Sequence, residues 1–348
     1  MNNILIECVP NISEGRNLDI INSIVDSARQ IQGVKVLGCE PDSDYNRTVI
    51  TIAGDPVSVT EGAYAIILKS LELIDMSKHS GNHPRMGAVD VCPFVPLSDN
   101  SMKHCIQSAK DLSELIGDKI PHFFYGEAAT SKDRISLSSL RKMEYEGLES
   151  RFDGGDWSNE ETRMPDRWSG KWGKNENRFG AVAIGARNIL VAYNVNVNET
   201  DAKASKIAGS VVRTSGRLIK KDGKKLRIKG LLNHVQGMGV PLPSSSISQV
   251  SMNLQNVSET SMHMAYEAVK SIVNDHGVET CGSELVGLVP LSAMLDSGKW
   301  FCSDSDNASE EELVQCAIEG LGLDYLKNFN ANVSIIEWAI ENRGNNNE

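Results

Sequence analysis

Apolar residues recur along the chain with two different spacings, and the switches between them set out an ordered series of strands and helices. Alternating or continuous apolar runs predict strands at 4–9, 34–39, 48–53 and 89–95, and stripes at three- and four-residue intervals predict helices at 18–31 and 57–73. The resulting order, βαββαβ, is that of a ferredoxin-like split arrangement, in which two helices cover one face of an antiparallel sheet. A helix at 101–116, a strand at 122–125 and a short helix at 137–145 complete this half.

Between 150 and 180 the pattern breaks into SRFDGGDWSNEETRMPDRWSGKWGKNENRFG, rich in Gly, Asn and charge, with tryptophans at Trp157, Trp168 and Trp172. Such a stretch predicts a domain junction, whose tryptophans either line a ligand crevice or pin the connector to a surface. Beyond it, 181–196 reads as one or two strands, 201–212 as a helix, 234–240 and 249–254 as strands, 260–274 as a helix and 284–289 as a short buried strand. The second half thus resembles the first in order, and Phe94-Val95-Pro96-Leu97-Ser98 and Leu288-Val289-Pro290-Leu291-Ser292 close corresponding strands. The expectation is an α+β chain of two such α/β sandwich subdomains, 1–178 and 179–335, followed by a tail at 336–348 that is disordered from Asn342 onward.

With 348 residues, 40% of them hydrophobic, each subdomain has material for its own core. No apolar run reaches the length of a membrane span, and the N-terminus, MNNILIECVPN, shows no basic leader or small-residue cleavage pattern, so a cytoplasmic protein with no membrane partner is expected. Seven cysteines, odd in number and without a CxxC pair, oppose both a disulfide framework and a zinc ribbon; reduced, mostly buried thiols are expected. A net charge of −11 opposes non-specific nucleic-acid binding. The local exception is RTSGRLIKKDGKKLRIK at 213–229, where Asp222-Gly223 signals a two-residue hairpin turn between basic strands. It reads either as an arm for an anionic substrate or, more simply, as a solvated hairpin whose lysines keep its edges soluble.

Candidate chemistry concentrates in DMSKHSGNHPRMGAVDVC at 75–92, a Gly- and Pro-punctuated loop before an apolar run. Imidazole titrates near neutrality, so His79 or His83 suits proton transfer, and Pro84 biases His83 toward extended or turn backbone. The ordinary alternative is a solvated or capping histidine. Metal binding is not expected, because Gly81 and Pro84 oppose the helix that would align the two imidazoles, the glutamate of a HExxH site is missing, and Cys92 lies too far along. Polar residues also gather at strand ends. Asn11 and Ser13 follow the first strand, with Ser13 expected to cap the first helix. Glu40, Asp42, Asp44, Asn46 and Arg47 lie between the second and third strands, more charge than a turn requires. Arg85 and Arg187 can each hold a carboxylate bidentately. These residues read as an enzyme with an acid–base histidine and carboxylate-binding arginines.

Seven phrases then bear on the family: ECVPNISEG at 7–15, NRTV at 46–49, HPRMGAVDVCPFVP at 83–96, YGEAA at 125–129, GAR at 185–187, QVSMNL at 249–254 and GSELVGLVP at 282–290. In this order, across about residues 4–330, they resemble glutamate formimidoyltransferase. The resemblance implies transfer of the formimino group of N-formimino-L-glutamate to tetrahydrofolate, giving 5-formiminotetrahydrofolate and L-glutamate in histidine degradation. It implies two α/β subdomains meeting across a folate-holding crevice, a homodimer, tetrahydrofolate as co-substrate with or without a polyglutamate tail, no bound cofactor or metal, and no cyclodeaminase domain after about residue 340. It assigns His83 the role of base and then acid, because N5 of the pterin must lose a proton on attack and the departing glutamate nitrogen must gain one. Glu40, standing where the family usually has aspartate, is expected to assist near the pterin, and Arg141 to aid the electrostatics. Substrate and folate contacts are expected at Asn11, Asn46, Arg47, His79, Arg85, Tyr125, Glu127, Asp166, Gly185 and Arg187. The chain departs from the family at the connector, usually PDFGP-like, which here reads Pro165-Asp166-Arg167-Trp168-Ser169-Gly170, and at the 220–229 hairpin, which is longer. The same histidine and carboxylate clamps would serve a formyl donor such as N-formylglutamate, and a folate-binding module without catalysis is the alternative from a different class.

Overall fold

Pro10 splits the first strand in two, because its missing N–H cannot join a ladder. β1 (Ile6–Cys8) and β2 (Asn11–Ile12) lie on either side of it. The computed structural model describes residues 4–43, 45–81, 84–97, 101–154 and 161–344, with the side chains at 244 and 342–344 also outside the description. Helix α1 (Leu18–Arg29) begins at Asn17, whose side chain accepts from the N–H groups of Asp19 and Ile20. Ser13 is not the cap. Its hydroxyl donates to the Gly87 carbonyl at 2.7 Å, which ties the strand end to a distant loop instead.

β3 (Lys35–Asp42) and β4 (Arg47–Gly54) follow, then α2 (Pro56–Leu73), capped by Asp55 and opened by Pro56. β5 (Val89–Pro96), α3 (Met102–Ile116) and β6 (His122–Gly126) come next, followed by three short helices, α4 (Leu137–Leu140), α5 (Leu148–Asp153) and α6 (Lys174–Phe179), and by β7 (Val182–Ala186). The helix expected at 137–145 stops at Leu140 because Met143 and Glu144 take positive φ, 68° and 54°. In the sheet the order is β3, β4, then β1 and β2 together, β5, β7, β6; pairing is antiparallel up to β5 and parallel from β5 through β7 to β6. Ile6, Cys8, Ile12, Ile50, Ile52, Cys92, Phe94 and Ile184 point to the face covered by α1, α2 and α3, where they form the larger core. Asn11, Arg47, Thr51, Val91, Tyr125 and Gly185 occupy the opposite face.

Two expectations change here. β7 belongs to the first sheet, so the first compact unit runs Met1–Asn188 rather than ending at 178. An apolar run such as VAIGA does not say which neighbour it will pair with, and its parallel partners β5 and β6 are reached only through long crossovers. The described part of the tryptophan-rich stretch, 150–154 and 161–180, is likewise part of this unit and not a junction. Trp168 packs with Met86, Val91, Phe123, Tyr125 and Phe152 on the face opposite α1, α2 and α3, where α4 and α5 add Leu140 and Leu148, and its ring centroid is 5.0 Å from that of Phe152. Trp157 lies outside the described residues.

The second unit, Ile189–Glu348, contains β8 (Val191–Val197), α7 (Lys203–Val212), β9 (Arg217–Lys221), β10 (Lys224–Ile228), β11 (Val235–Leu242), β12 (Ile247–Leu254), α8 (Met262–Asp275) and β13 (Thr280–Val286). Its four-stranded antiparallel sheet runs β11, β12, β8, β13. Counted by place in the chain, this is the order of β3, β4, β1 with β2, and β5 in the first unit. β9 and β10 form a separate two-stranded ribbon turning through Asp222 and Gly223, both at positive φ, as a type I′ hairpin requires. Four further helices, not anticipated from periodicity, close the chain: α9 (Leu291–Phe301), α10 (Glu310–Leu321), α11 (Ala331–Ser334) and α12 (Ile336–Gly344). The signal for α10 was present as a capping box, Ser309 with Glu312. The expected disordered tail is helical through Gly344, and 345–348 lie outside the described residues. Among the described residues no helix is long and apolar enough to cross a membrane.

Candidate functional site

Arg47 opens β4 with its side chain on the face of the first sheet opposite α1, α2 and α3. Its Nε donates to Asn11 Oδ1 at 2.9 Å, and its Nη2 donates to the same oxygen. Asn11 is set by the break at Pro10, with its Nδ2 donating back to the Val9 carbonyl at 2.8 Å. Asn46, just before Arg47, sits at φ 51°, a left-handed conformation that asparagine tolerates better than most residues. Its Oδ1 accepts from Gly15 N at 2.9 Å and its Nδ2 donates to the Ser80 carbonyl at 3.0 Å. A Cβ at Gly15 would stand 2.1 Å from the Asp42 carbonyl, so the ECVPNISEG and NRTV segments meet only because glycine is there.

His79 closes the same corner. Its Nε2 donates to the Asn46 carbonyl at 2.9 Å, and its Nδ1 accepts from Arg85 Nε at 3.3 Å. Burial lowers its pKa, with the Arg85 cation adding to the effect, so the ring is held neutral with both nitrogens engaged. Arg85 forks onto Glu146, at 2.8 and 2.6 Å, and reaches Glu144 at 3.2 Å. The hydrogen bonding of Arg85 to Glu146 outweighs burial and raises the Arg85 pKa. Its fork therefore holds the protein's own carboxylates, from two residues that the sequence reading did not single out.

A third such residue is Asp90, on β5 and 2% exposed. Its Oδ1 accepts from Met86 N at 2.9 Å and from Arg141 Nε at 3.3 Å, while Arg141 Nη2 pairs with Oδ2. Asp90 joins Ser13, Tyr45, Asn46, Arg47, His79 and Arg85 around a shallow concavity of about 10 Å³, room for roughly one water. Burial lowers the Arg47 pKa to about 10, against the pull of Asp90 and with a further push from Arg141. The geometry is a shallow concavity with two arginines, Arg47 and Arg85, at its wall and a neutral imidazole at its edge.

Two family models match the chain in series: the formiminotransferase domain, N-terminal subdomain, over residues 5–187, and the formiminotransferase domain over residues 192–341. The chain belongs to the formiminotransferase family. The formimidoyltransferase-cyclodeaminase of Rattus norvegicus is 36% identical over 98% of this chain and 60% of its own length, so the chain spans about three-fifths of that relative. The glutamate formimidoyltransferase of Streptococcus pyogenes serotype M1 is 34% identical over 89% of this chain and 97% of its own. The glutamate formimidoyltransferase of Thermoplasma acidophilum is 37% identical, over 90% of this chain and 98% of its own.

The remaining family-derived positions of this formiminotransferase domain fall in several places. Tyr125 is buried on β6, its phenol pushed up to about 12 by burial, and its ring fills the space a side chain at Gly185 would need. Glu127 is exposed, its N–H bonded to the Ala186 carbonyl at 2.8 Å. Arg187 is half-buried and donates to the Asn188 carbonyl at 3.0 Å. Asp166 is buried against Arg134 at 2.7 Å and accepts from Phe124 N at 2.7 Å, so its carboxylate anchors the connector. Glu40 is exposed on β3, in a cross-strand row with Val49 and Asn11. His83 and Asp44 lie outside the described residues. Among the described residues no group of three His, Cys, Asp or Glu is placed to hold a metal ion.

The helix-free face of the second sheet carries amides. Gln249 Nε2 donates to Asn196 Oδ1 at 2.9 Å and to Glu284 Oε2 at 3.2 Å, and Asn194 Nδ2 reaches Gln249 Oε1 at 3.5 Å. Asn196 is fully buried, and its Nδ2 has no hydrogen-bond partner among the described residues. Gln249 and Glu284 lie inside two of the phrases that carried the family resemblance.

Proposed function

We propose that this chain transfers the formimino group of N-formimino-L-glutamate to tetrahydrofolate, releasing 5-formiminotetrahydrofolate and L-glutamate. The observation that carries the reading is the match to relatives named glutamate formimidoyltransferase along nearly their whole length. Arg47 at the concavity, with Arg141 held close by on Asp90, suits a donor that bears carboxylates. The proton relay is assigned to His83, as base toward N5 and then acid toward the departing nitrogen. His79 is the less suitable of the two, because both of its ring nitrogens are already engaged. Asn11, Asn46 and Arg47 bind substrate in this reading, with Glu40 and Arg141 assisting. Tyr125, Gly185, Glu127 and Arg187 are assigned further substrate or folate contacts, and His79, Arg85 and Asp166 hold the surrounding loops.

Holding donor and folate together supplies much of the acceleration, since the cost of bringing them into register is met on binding. Each unit is proposed to be a ferredoxin-like α/β sandwich, supported by the strand order the two sheets share. A cytoplasmic homodimer that uses tetrahydrofolate as co-substrate without a resident cofactor completes the proposal.

The test is glutamate release from formiminoglutamate in the presence of tetrahydrofolate. Release is expected from the wild-type protein. His83→Ala is expected to retain tetrahydrofolate binding and to lose about 10²–10⁴-fold in transfer. A folded protein that releases no glutamate would overturn the reading, and faster turnover of N-formylglutamate would move it to a formyl donor.

A further inference from the structure

Asp90 is an acid within an apolar strand, between Val89 and Val91, and such a carboxylate is stable only if its environment replaces the water it has lost. Three contacts do so, and they come from separate parts of the first unit. The N–H of Met86 fixes the backbone just after Arg85. The Nε and Nη2 of Arg141 take one carboxylate oxygen each, a two-point contact that fixes the plane of the guanidinium. Asp90 also lines the concavity beside Arg47.

Stability alone does not call for this arrangement, because well-packed apolar side chains commonly replace a buried ion pair without loss. What an apolar replacement does not supply is direction. A guanidinium fixed in plane near a cavity meets an anionic group without reorganising, and that is the form in which charge assists a reaction.

We infer that Asp90 is a positioning residue for the transfer reaction, acting through Arg141, which it orients at two points, and through the 85–86 backbone, which it holds beside the concavity. The inference rests on the proposed function and names a residue that the family resemblance did not. Asp90 touches no reacting atom in this role. Its negative charge also opposes the depression of the Arg47 pKa caused by burial and by Arg141, so the pocket keeps a cation well into alkaline solution.

The experiment uses the full chain and compares wild type, Asp90→Asn and the double variant Asp90→Leu/Arg141→Met in formiminoglutamate turnover, with thermal melts alongside. Asn keeps the acceptor for Met86 N and removes the charge. For Asp90→Asn, kcat is expected to fall about 100-fold, on the scale of a lost preorganised electrostatic contact. The alkaline limb of kcat/KM is expected at lower pH than in wild type, because removing a negative neighbour eases loss of the Arg47 proton. The double variant is expected to regain melting temperature without regaining turnover, and it carries the test if Asp90→Asn does not fold. Wild-type kcat and an unmoved alkaline limb in Asp90→Asn, or wild-type turnover in the double variant, would overturn the inference while leaving the function intact. A wild-type protein without transfer activity would overturn both.

Discussion

A guanidinium fork fits a substrate carboxylate and a glutamate side chain equally well, and Arg85 meets the second. The distinction lies in tertiary partners, and the same logic governs proton binding at His122. That ring is fully buried, with Nδ1 donating to the Ile120 carbonyl at 2.8 Å and Nε2 accepting from Ser113 Oγ at 2.7 Å. Burial lowers its pKa below the unfolded value of about 6.5. The unfolded chain therefore takes up the proton first as pH falls. Stability is unaffected well above about pH 6.5 and declines from there toward the lower folded value. Melting temperature is expected to drop between about pH 7 and pH 5, with a shallower slope in His122→Asn; parallel slopes would assign the acid sensitivity elsewhere. At this scale the sequence offers candidate residues but not the partners they meet. Asp166 was expected at folate and holds Arg134, because the choice among partners tens of residues apart depends on the packed connector. Asp90 was legible in principle, since a carboxylate inside VDVC must be paired.

At the scale of elements, periodicity was enough wherever one helix face or one strand face is buried, as in α1, α2, β4 and β12. It found β7 as a strand within 181–196 but not its place in the first sheet, since an apolar run names no pairing partner, and it overlooked α9 to α12. β7 nonetheless contains a close approach between Gly185 and its neighbour Tyr125 on β6. A Cβ at Gly185 would lie 2.5 Å from two ring carbons of Tyr125 and 2.7 Å from its carbonyl oxygen, and backbone cannot yield as a flexible side chain does. Gly185→Ala is therefore expected to cost about 1–3 kcal/mol through overpacking, read as a lower urea midpoint, and to reduce turnover by displacing the ring. An unchanged midpoint would mean that Tyr125 has another place to go. The hairpin β9–β10 was the easiest element to read, because Asp222-Gly223 specifies its turn by local chemistry alone.

Across the whole molecule, charge is unevenly distributed. A chain of net charge −11 concentrates lysines on one ribbon, where Lys221 faces Lys224 and Lys220 faces Lys225 directly across the pair of strands. Like charges so placed oppose each other by a few tenths of a kcal/mol or more, and on a fully solvated hairpin they serve solubility. Changing these four lysines to glutamine is expected to leave formimino transfer within about twofold while lowering solubility near neutral pH. A severalfold rise in KM for either substrate would instead make the ribbon an arm for anions. The shared strand order of the two units has a further consequence for how the chain must fold. Sister sheets with the same wiring invite strands to dock in the wrong half, a hazard of repeated architectures. Their polar faces work against the exchange, since β4 in the second sheet would leave Arg47 without Asn11, and β5 would strand Asp90 without Arg141. Guanidiniums on one sheet and amides on the other thus act as labels, telling each strand which half is its own.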